Sequence, residues 1–201
     1  MASVYDLKPA FQNFLRPVCR WLAKKGVTAN QVTLAALALS VLAGAAIVVF
    51  PQRSAFLFLI PAVLFLRMAL NAIDGMLARE HGMKSPFGGI LNELGDVCSD
   101  AALYLPFSVI RDVPPVAVVA VVLLAVTSEM TGVVAVTIGA SRRYDGPMGK
   151  SDRAFWFGII AILLGCGVSP RPWIGPALLV IMLLLLLTIC NRVRGALREV
   201  S

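Results

Sequence analysis

The chain has 201 residues, 59% of them hydrophobic and 14% charged, with a mean hydropathy of +0.85, where a soluble domain carries roughly 25% charged residues. This excludes a soluble globular domain, because six crossings of the hydrocarbon layer at about 20 apolar residues each leave only short loops. Lys and Arg total 18 against 11 Asp and Glu, an excess that in a membrane chain marks cytoplasmic loops and contact with anionic headgroups, and that argues against nucleic acid as a partner.

Over the first 25 residues, Leu7, Phe11, Phe14, Leu15, Val18, Trp21 and Leu22 recur at helical spacing, with Lys8, Arg16, Arg20, Lys24 and Lys25 between them. The pattern predicts a basic amphipathic juxtamembrane helix over residues 1–27, lying on the membrane surface. Charge interrupts the apolar run and no small-residue cleavage site follows, so it is not a signal peptide and the N-terminus is expected in the cytoplasm. Six apolar segments follow at about 30–50, 54–80, 86–111, 114–138, 152–170 and 172–192, broken by Pro51, the polar run Glu80 to Ser85, Pro114 with Pro115, the stretch Arg142 to Asp152, and Pro170 with Pro172. The expected fold is an all-α integral membrane protein, with six transmembrane helices over 28–201 preceded by the surface helix. With the N-terminus inside, 14 basic residues face the cytoplasm and only Arg53, Arg111 and Arg171 face outward, which places both termini in the cytoplasm. Cys19, Cys98, Cys166 and Cys190 show no paired spacing, so they suggest neither disulfides nor zinc and are read as core residues.

Ionisable groups inside apolar spans are expensive and face a bundle interior or a wet cavity. Arg67, Asn71, Asp74, Ala78 and Arg79 share one face of the second segment. Gly88, Asn92, Asp96 and Asp100 recur every four residues along the third, with Glu93 beside them. On antiparallel helices the two stripes can enclose a site open to the cytoplasm. Glu129 stands in the fourth segment among Thr127, Ser128 and Thr131. Arg67, Asp100 and Glu129 are expected to be structural, with Arg67 paired to one or both acids. No cation at comparable depth is left for Asp74 and Asp96, which points to a bound metal ion.

The run Asn71, Ala72, Ile73, Asp74, Gly75, Met76, Leu77, Ala78, Arg79, followed at fixed spacing by Gly88, Asn92 and Asp96, resembles the signature of the CDP-alcohol phosphotransferases. That pattern is Asp, two residues, Asp-Gly, two residues, Ala-Arg, about eight residues, Gly, three residues, Asp, three residues, Asp. The resemblance covers essentially the whole chain, with Asn71 and Asn92 standing where the family has its first and third aspartates. It implies that Asn71, Asp74, Asn92 and Asp96 are the metal-site positions for Mg2+ or Mn2+, one or two ions, and that Asp96 takes the proton from the attacking alcohol. Asn30 and Thr33 resemble the family's Pro-Asn-x-x-Thr opening, with Ala29 in place of Pro. With Gly75, Ala78, Arg79 and Gly88, whose small members let a nucleotide approach the helices, they are the expected donor-binding residues; helix capping by Thr28 or Asn30 is the structural alternative. Lys150, Arg153, Arg142, Arg143 and Arg192 are candidates for an acceptor or phosphate pocket, or equally ordinary positive-inside residues.

The expected function is transfer of a phosphatidyl group from CDP-diacylglycerol to a small alcohol with release of CMP, in phospholipid biosynthesis. The resemblance implies a homodimer in a bacterial inner membrane, with its active site facing the cytoplasm. Asn71 and Asn92 keep one alternative open, a catalytically weakened relative acting as a lipid-binding or partner-binding membrane subunit.

Overall fold

The structure, a computed structural model, describes residues 4–201, with side chains from residue 10 onward. Leu7 and Lys8 of the expected amphipathic face therefore lie outside the described side chains. The described residues form helices and no strand: α1 Val4–Lys24, α2 Ala29–Val49, α3 Leu59–Glu80, α4 Pro86–Tyr104, α5 Pro115–Val134, α6 Lys150–Gly165 and α7 Ile174–Val200. Short 3-10 turns at Ser54–Phe58, Leu105–Val109 and Ala135–Ile138 precede α3 and follow α4 and α5.

Four stretches, Ala29–Val49, Ser54–Glu80, Pro115–Ile138 and Ile174–Val200, are long and apolar enough to cross a membrane. Of the six expected spans, α6 falls short with 16 residues, and α4 carries Glu93, Asp96 and Asp100 within 19 residues. Helix ends differ from expectation for local reasons. The third segment leaves α geometry at Tyr104 because Pro106 has no N–H for the helical ladder. The fifth ends at Gly165, before Gly167 with φ +85°. The last runs on through Gly195 to Val200, since Arg, Ala, Leu and Glu around that glycine are good helix formers and no Pro follows it.

The chain divides into two compact units. The first comprises residues up to Leu42 together with Ala62–Ser99, and the second Ala43–Pro61 with Asp100–Ser201. In the first, Leu15 and Cys19 of α1 pack with Ala29 and Val32 of α2 and with Ile73, Met76 and Leu77 of α3. In the second, α5 packs extensively along α7, and Phe157 of α6 stacks on Tyr104 with ring centroids 4.1 Å apart. A Cβ at Gly44 would run into the Ala102 carbonyl, so α2 and α4 touch there backbone to backbone.

Large apolar side chains remain exposed, among them Phe14, Val18 and Trp21 of α1, Val116 and Leu123 of α5 and Leu183 of α7. This is the surface a helix needs in hydrocarbon, where exposing Leu or Phe costs nothing. The same logic corrects the reading of the cysteines as core residues. Only Cys19 is buried, while Cys98, Cys166 and Cys190 are exposed; burial also pushes the Cys19 thiol pKa up.

Between α5 and α6 the chain passes Gly146 at φ +119°, a backbone conformation suited to glycine. A Cβ there would lie 2.6 Å from Thr188 Cα, and two residues on, Met148 N–H donates to Thr188 Oγ1 at 2.9 Å. Gly146→Ala is expected to cost about 1–3 kcal/mol through backbone strain and loss of this seat on α7. Thermal unfolding in detergent, read against wild type, measures it.

Candidate functional site

The first unit gathers one end of α2 with the polar faces of α3 and α4. Thr28 starts α2 with a capping box: Gln31 N–H donates to Thr28 Oγ1 at 3.3 Å, and Thr28 N–H donates to Gln31 Oε1 at 2.9 Å. Capping therefore falls to Thr28, and Asn30 and Thr33 turn to neighbouring helices. The Thr33 hydroxyl lies 2.8 Å from Asp74 Oδ2 and 3.1 Å from the Ala29 carbonyl; the carboxylate is the nearer and stronger acceptor. Asp74 is 5% exposed and Thr33 8%, so this contact is made away from water.

Ser85 caps α4, accepting from Gly88 N–H through Oγ at 3.0 Å. A Cβ at Gly88 would meet Asn30 Oδ1 at 2.8 Å and Ser85 Oγ at 3.0 Å. A side chain at this position would thus press on Asn30 and on the Ser85 cap before any ligand is considered. On α3, Gly75 leaves space into which the Arg79 guanidinium folds, with Nη2 3.1 Å from where a Cβ would stand. Ala78 packs at the edge of the α1–α2–α3 core. Asn92 is half-buried one turn before Asp96 on α4.

Asp96 has neighbours that the sequence reading missed. Asn71 Nδ2 donates to its Oδ1 at 3.1 Å, and Arg67 Nη2 lies 3.6 Å from the same oxygen. Arg67 also donates to the Asp96 backbone carbonyl at 3.4 Å. The expectation that no cation at comparable depth reaches Asp96 is therefore corrected. The i, i+4 spacing of Arg67 and Asn71 was visible, but which acid they meet depends on the rotation of α4.

Asp100 and Glu129 share Arg153, which the sequence reading places among the phosphate-pocket candidates. Arg153 Nη2 stands 3.0 Å from Asp100 Oδ2 and 3.0 Å from Glu129 Oε1, with a side-chain exposure of 1%. Arg142 Nη2 and Arg192 Nη2 approach Glu129 at 3.5 Å each, and Arg192 Nη1 donates to the Ser128 carbonyl. Three of the five candidate phosphate-binding cations thus converge on one buried carboxylate of the second unit. A fourth, Arg143, pairs with Asp145 and Glu199 at 2.7 Å each and holds the Asp145 carboxyl below its usual range. Lys150 opens α6, half-buried. Arg194 and Arg198, unassigned in the sequence reading, line an open pocket of about 440 Å³ with Arg143, Asp145, Asn191 and Gly195.

No group of three or more His, Cys, Asp or Glu side chains placed to hold a metal occurs among the described residues, as expected where Asn occupies positions 71 and 92. The oxygens that remain, two carboxylates and two side-chain amides, are of the hard type that Mg2+ and Mn2+ accept. The donor chemistry fits a divalent cation.

A family model described as CDP-alcohol phosphatidyltransferase matches residues 26–196. The chain belongs to this family of enzymes, which transfer substituted phosphate groups. It is 46% identical over 195 residues to the inner membrane protein YnbA of Escherichia coli K12, covering 97% of this chain and 96% of that one. It is 32% identical over 191 residues to the phosphatidylinositol phosphate synthase of Mycobacterium marinum, covering 90% and 76% respectively. The Mycobacterium tuberculosis phosphatidylinositol phosphate synthase superposes with a TM-score of 0.67 at 27% identity in its crystal structure with CDP-DAG bound, covering 92% of each chain. A second crystal structure of that enzyme, with manganese and citrate, superposes with a TM-score of 0.71 at 22% identity, covering 90% of this chain and 88% of that one.

The buried arginine yields a direct stability test. Arg153→Met removes the cation shared by Asp100 and Glu129 and is expected to destabilise the protein by about 3–5 kcal/mol, the usual consequence of leaving a buried charge uncompensated. Adding Asp100→Leu is expected to recover part of the loss, so melting temperatures should fall in the order wild type, double variant, single variant.

Proposed function

We propose that the chain transfers a phosphatidyl group from CDP-diacylglycerol to a small alcohol, releasing CMP. The observation that supports this reading is the pairing, within one unit, of Asp74 with Thr33 and of Asp96 with Asn71, with Asn30 against Gly88, oxygen and amide groups of the kind that suit a diphosphate and its counter-ion. Family membership and the kinship with synthases that bind CDP-DAG support the same donor.

In this reading the acceptor oxygen attacks the phosphorus carrying the diacylglycerol, and the bond from that phosphorus to the CMP oxygen breaks. Asp96 accepts the hydroxyl proton. Asp74, oriented by Thr33, holds the divalent cation, Mg2+ or Mn2+, with Asn71, Asn92 and Asp96 as further oxygen donors. When bound, that cation supplies charge to neutralise the diphosphate. Asn30, Thr33, Gly75, Ala78, Arg79 and Gly88 line the donor site; of the candidate phosphate-binding cations, Arg153 and Arg192 are instead buried on Glu129, which leaves Lys150 and Arg142 as the ones to draw a phosphate. Six spans cross a bacterial inner membrane with both termini and the site facing the cytoplasm, α1 lies on the membrane surface, and the chain forms a homodimer. The apolar helix exteriors and the inner-membrane relative support the membrane placement.

CMP release by purified protein in lipid, given CDP-diacylglycerol, Mg2+ or Mn2+ and a panel of neutral and phosphorylated alcohols, tests the proposal. Asp96→Ala is expected to lower an alcohol-dependent rate by about 10²–10⁴-fold while keeping donor binding, the range for losing a general base. Silence from wild type with donor binding intact would point first to an acceptor outside the panel and second to a lipid-binding subunit. Asn71→Asp with Asn92→Asp is expected to tighten Mn2+ binding roughly tenfold in the absence of nucleotide, because hard cations favour charged oxygens. Calorimetric titration reads the change, and unchanged affinity would refute the charge argument.

A further inference from the structure

Arg67 has no part in the transfer proposed above, yet its side chain is 4% exposed in the middle of an apolar helix. A guanidinium persists at such depth only where an anion compensates it. Its Nη2 faces Asp96 Oδ1 at 3.6 Å, and Asn71, one turn further along the same face, donates to that oxygen at 3.1 Å. One hydrogen bond and one guanidinium charge therefore bear on the oxygen that a metal ion at Asp96 would want, and the guanidinium is itself fixed by donating to the Asp96 backbone carbonyl at 3.4 Å. A divalent cation ligated there would displace the Asn71 donor and sit within a few ångströms of a fixed positive charge, and at such distances repulsion is worth several kcal/mol even at an effective dielectric of about 20.

We infer that Arg67 is a built-in counter-cation for Asp96, a positioning residue that holds this carboxylate and competes with metal for it in the absence of nucleotide. The inference rests on the metal-dependent transferase reading and adds to it an order of charge neutralisation within the site.

Mn2+ alone, titrated into the purified full-length protein without nucleotide, tests it by calorimetry and by the electron paramagnetic resonance of bound ion. Arg67→Gln is expected to bind Mn2+ about tenfold more tightly, or to gain a second ion, because Asp96 is released to the metal. A purely structural arginine would give the opposite sign, since a loosened site binds metal more weakly. Arg67→Lys keeps the charge and is expected to stay within about threefold of wild type. The double variant Arg67→Gln with Asp96→Asn buries no uncompensated charge, so it folds even where the single variant does not, and its Mn2+ affinity is expected within about threefold of wild type. Unchanged or weaker binding by Arg67→Gln, or a tenfold loss in the double variant, overturns the inference alone. Absence of Mn2+ binding from wild type and Arg67→Gln alike overturns the inference, whereas the transferase reading falls only if alcohol-dependent CMP release from CDP-diacylglycerol is also absent.

Discussion

An ionised side chain placed among apolar helices must meet an opposite charge or a set of hydrogen-bond donors, because water is not there to solvate it. The polar architecture of this chain follows from that constraint. Asp100 and Glu129 lie at 3.0 Å from one guanidinium, that of Arg153. Asp96 meets Arg67 and the amide of Asn71, and Asp74 accepts from Thr33. On α4, residues one turn apart are thus compensated by cations from different helices. The arginines contribute little net stability as pairs, since desolvation offsets much of their attraction. What they do is forbid alternatives: a rotation of α4 that removed Asp96 from Arg67 or Asp100 from Arg153 would strand charge in a low dielectric.

Capping and small residues set the site by the same economy of local rules. Because Thr28 and Gln31 satisfy the first donors of α2, Asn30 and Thr33 are released from capping and reach α4 and α3. Ser85 does the equivalent for α4, which fixes Gly88 beneath Asn30. The two helix starts, rather than any loop, deliver the polar groups, and helices hold such groups more rigidly than loops do.

The stripes on α3 and α4 were legible because helical periodicity alone places residues three and four apart on one face. The small-residue positions were legible too, though Gly88 proves to answer to Asn30 and Ser85 as well as to any nucleotide. Partner choice was not legible. Arg67 and Arg153 are chemically equivalent in the sequence, and which acids each meets is decided by helix rotation and axial register, neither of which has a local signature. Nor could composition separate Cys19, in a protein core, from Cys98, Cys166 and Cys190 on exposed helix faces, because hydrocarbon and protein interior reward the same side chains. The basic run Arg192, Arg194 and Arg198 looked like the end of a span but continues α7, since a helix does not have to stop where the membrane does.

Counting charge with Arg67 included changes the electrostatics of the proposed transfer. Asp74 and Asp96 alone sum to −2, and Arg67 at 3.6 Å from Asp96 brings the group to −1. One divalent cation then overshoots to +1, an unfavourable balance in a low dielectric. The diphosphate of a nucleotide donor, carrying one negative charge on each phosphate, reverses it to −1, and this is the arrangement in which metal and donor each need the other. Asparagine at 71 and 92 deepens the dependence by supplying oxygens without charge. In the proposed transfer, a site of this composition would bind its metal and its nucleotide cooperatively. The coupling arises from net charge, and it requires no movement of the helices that carry it.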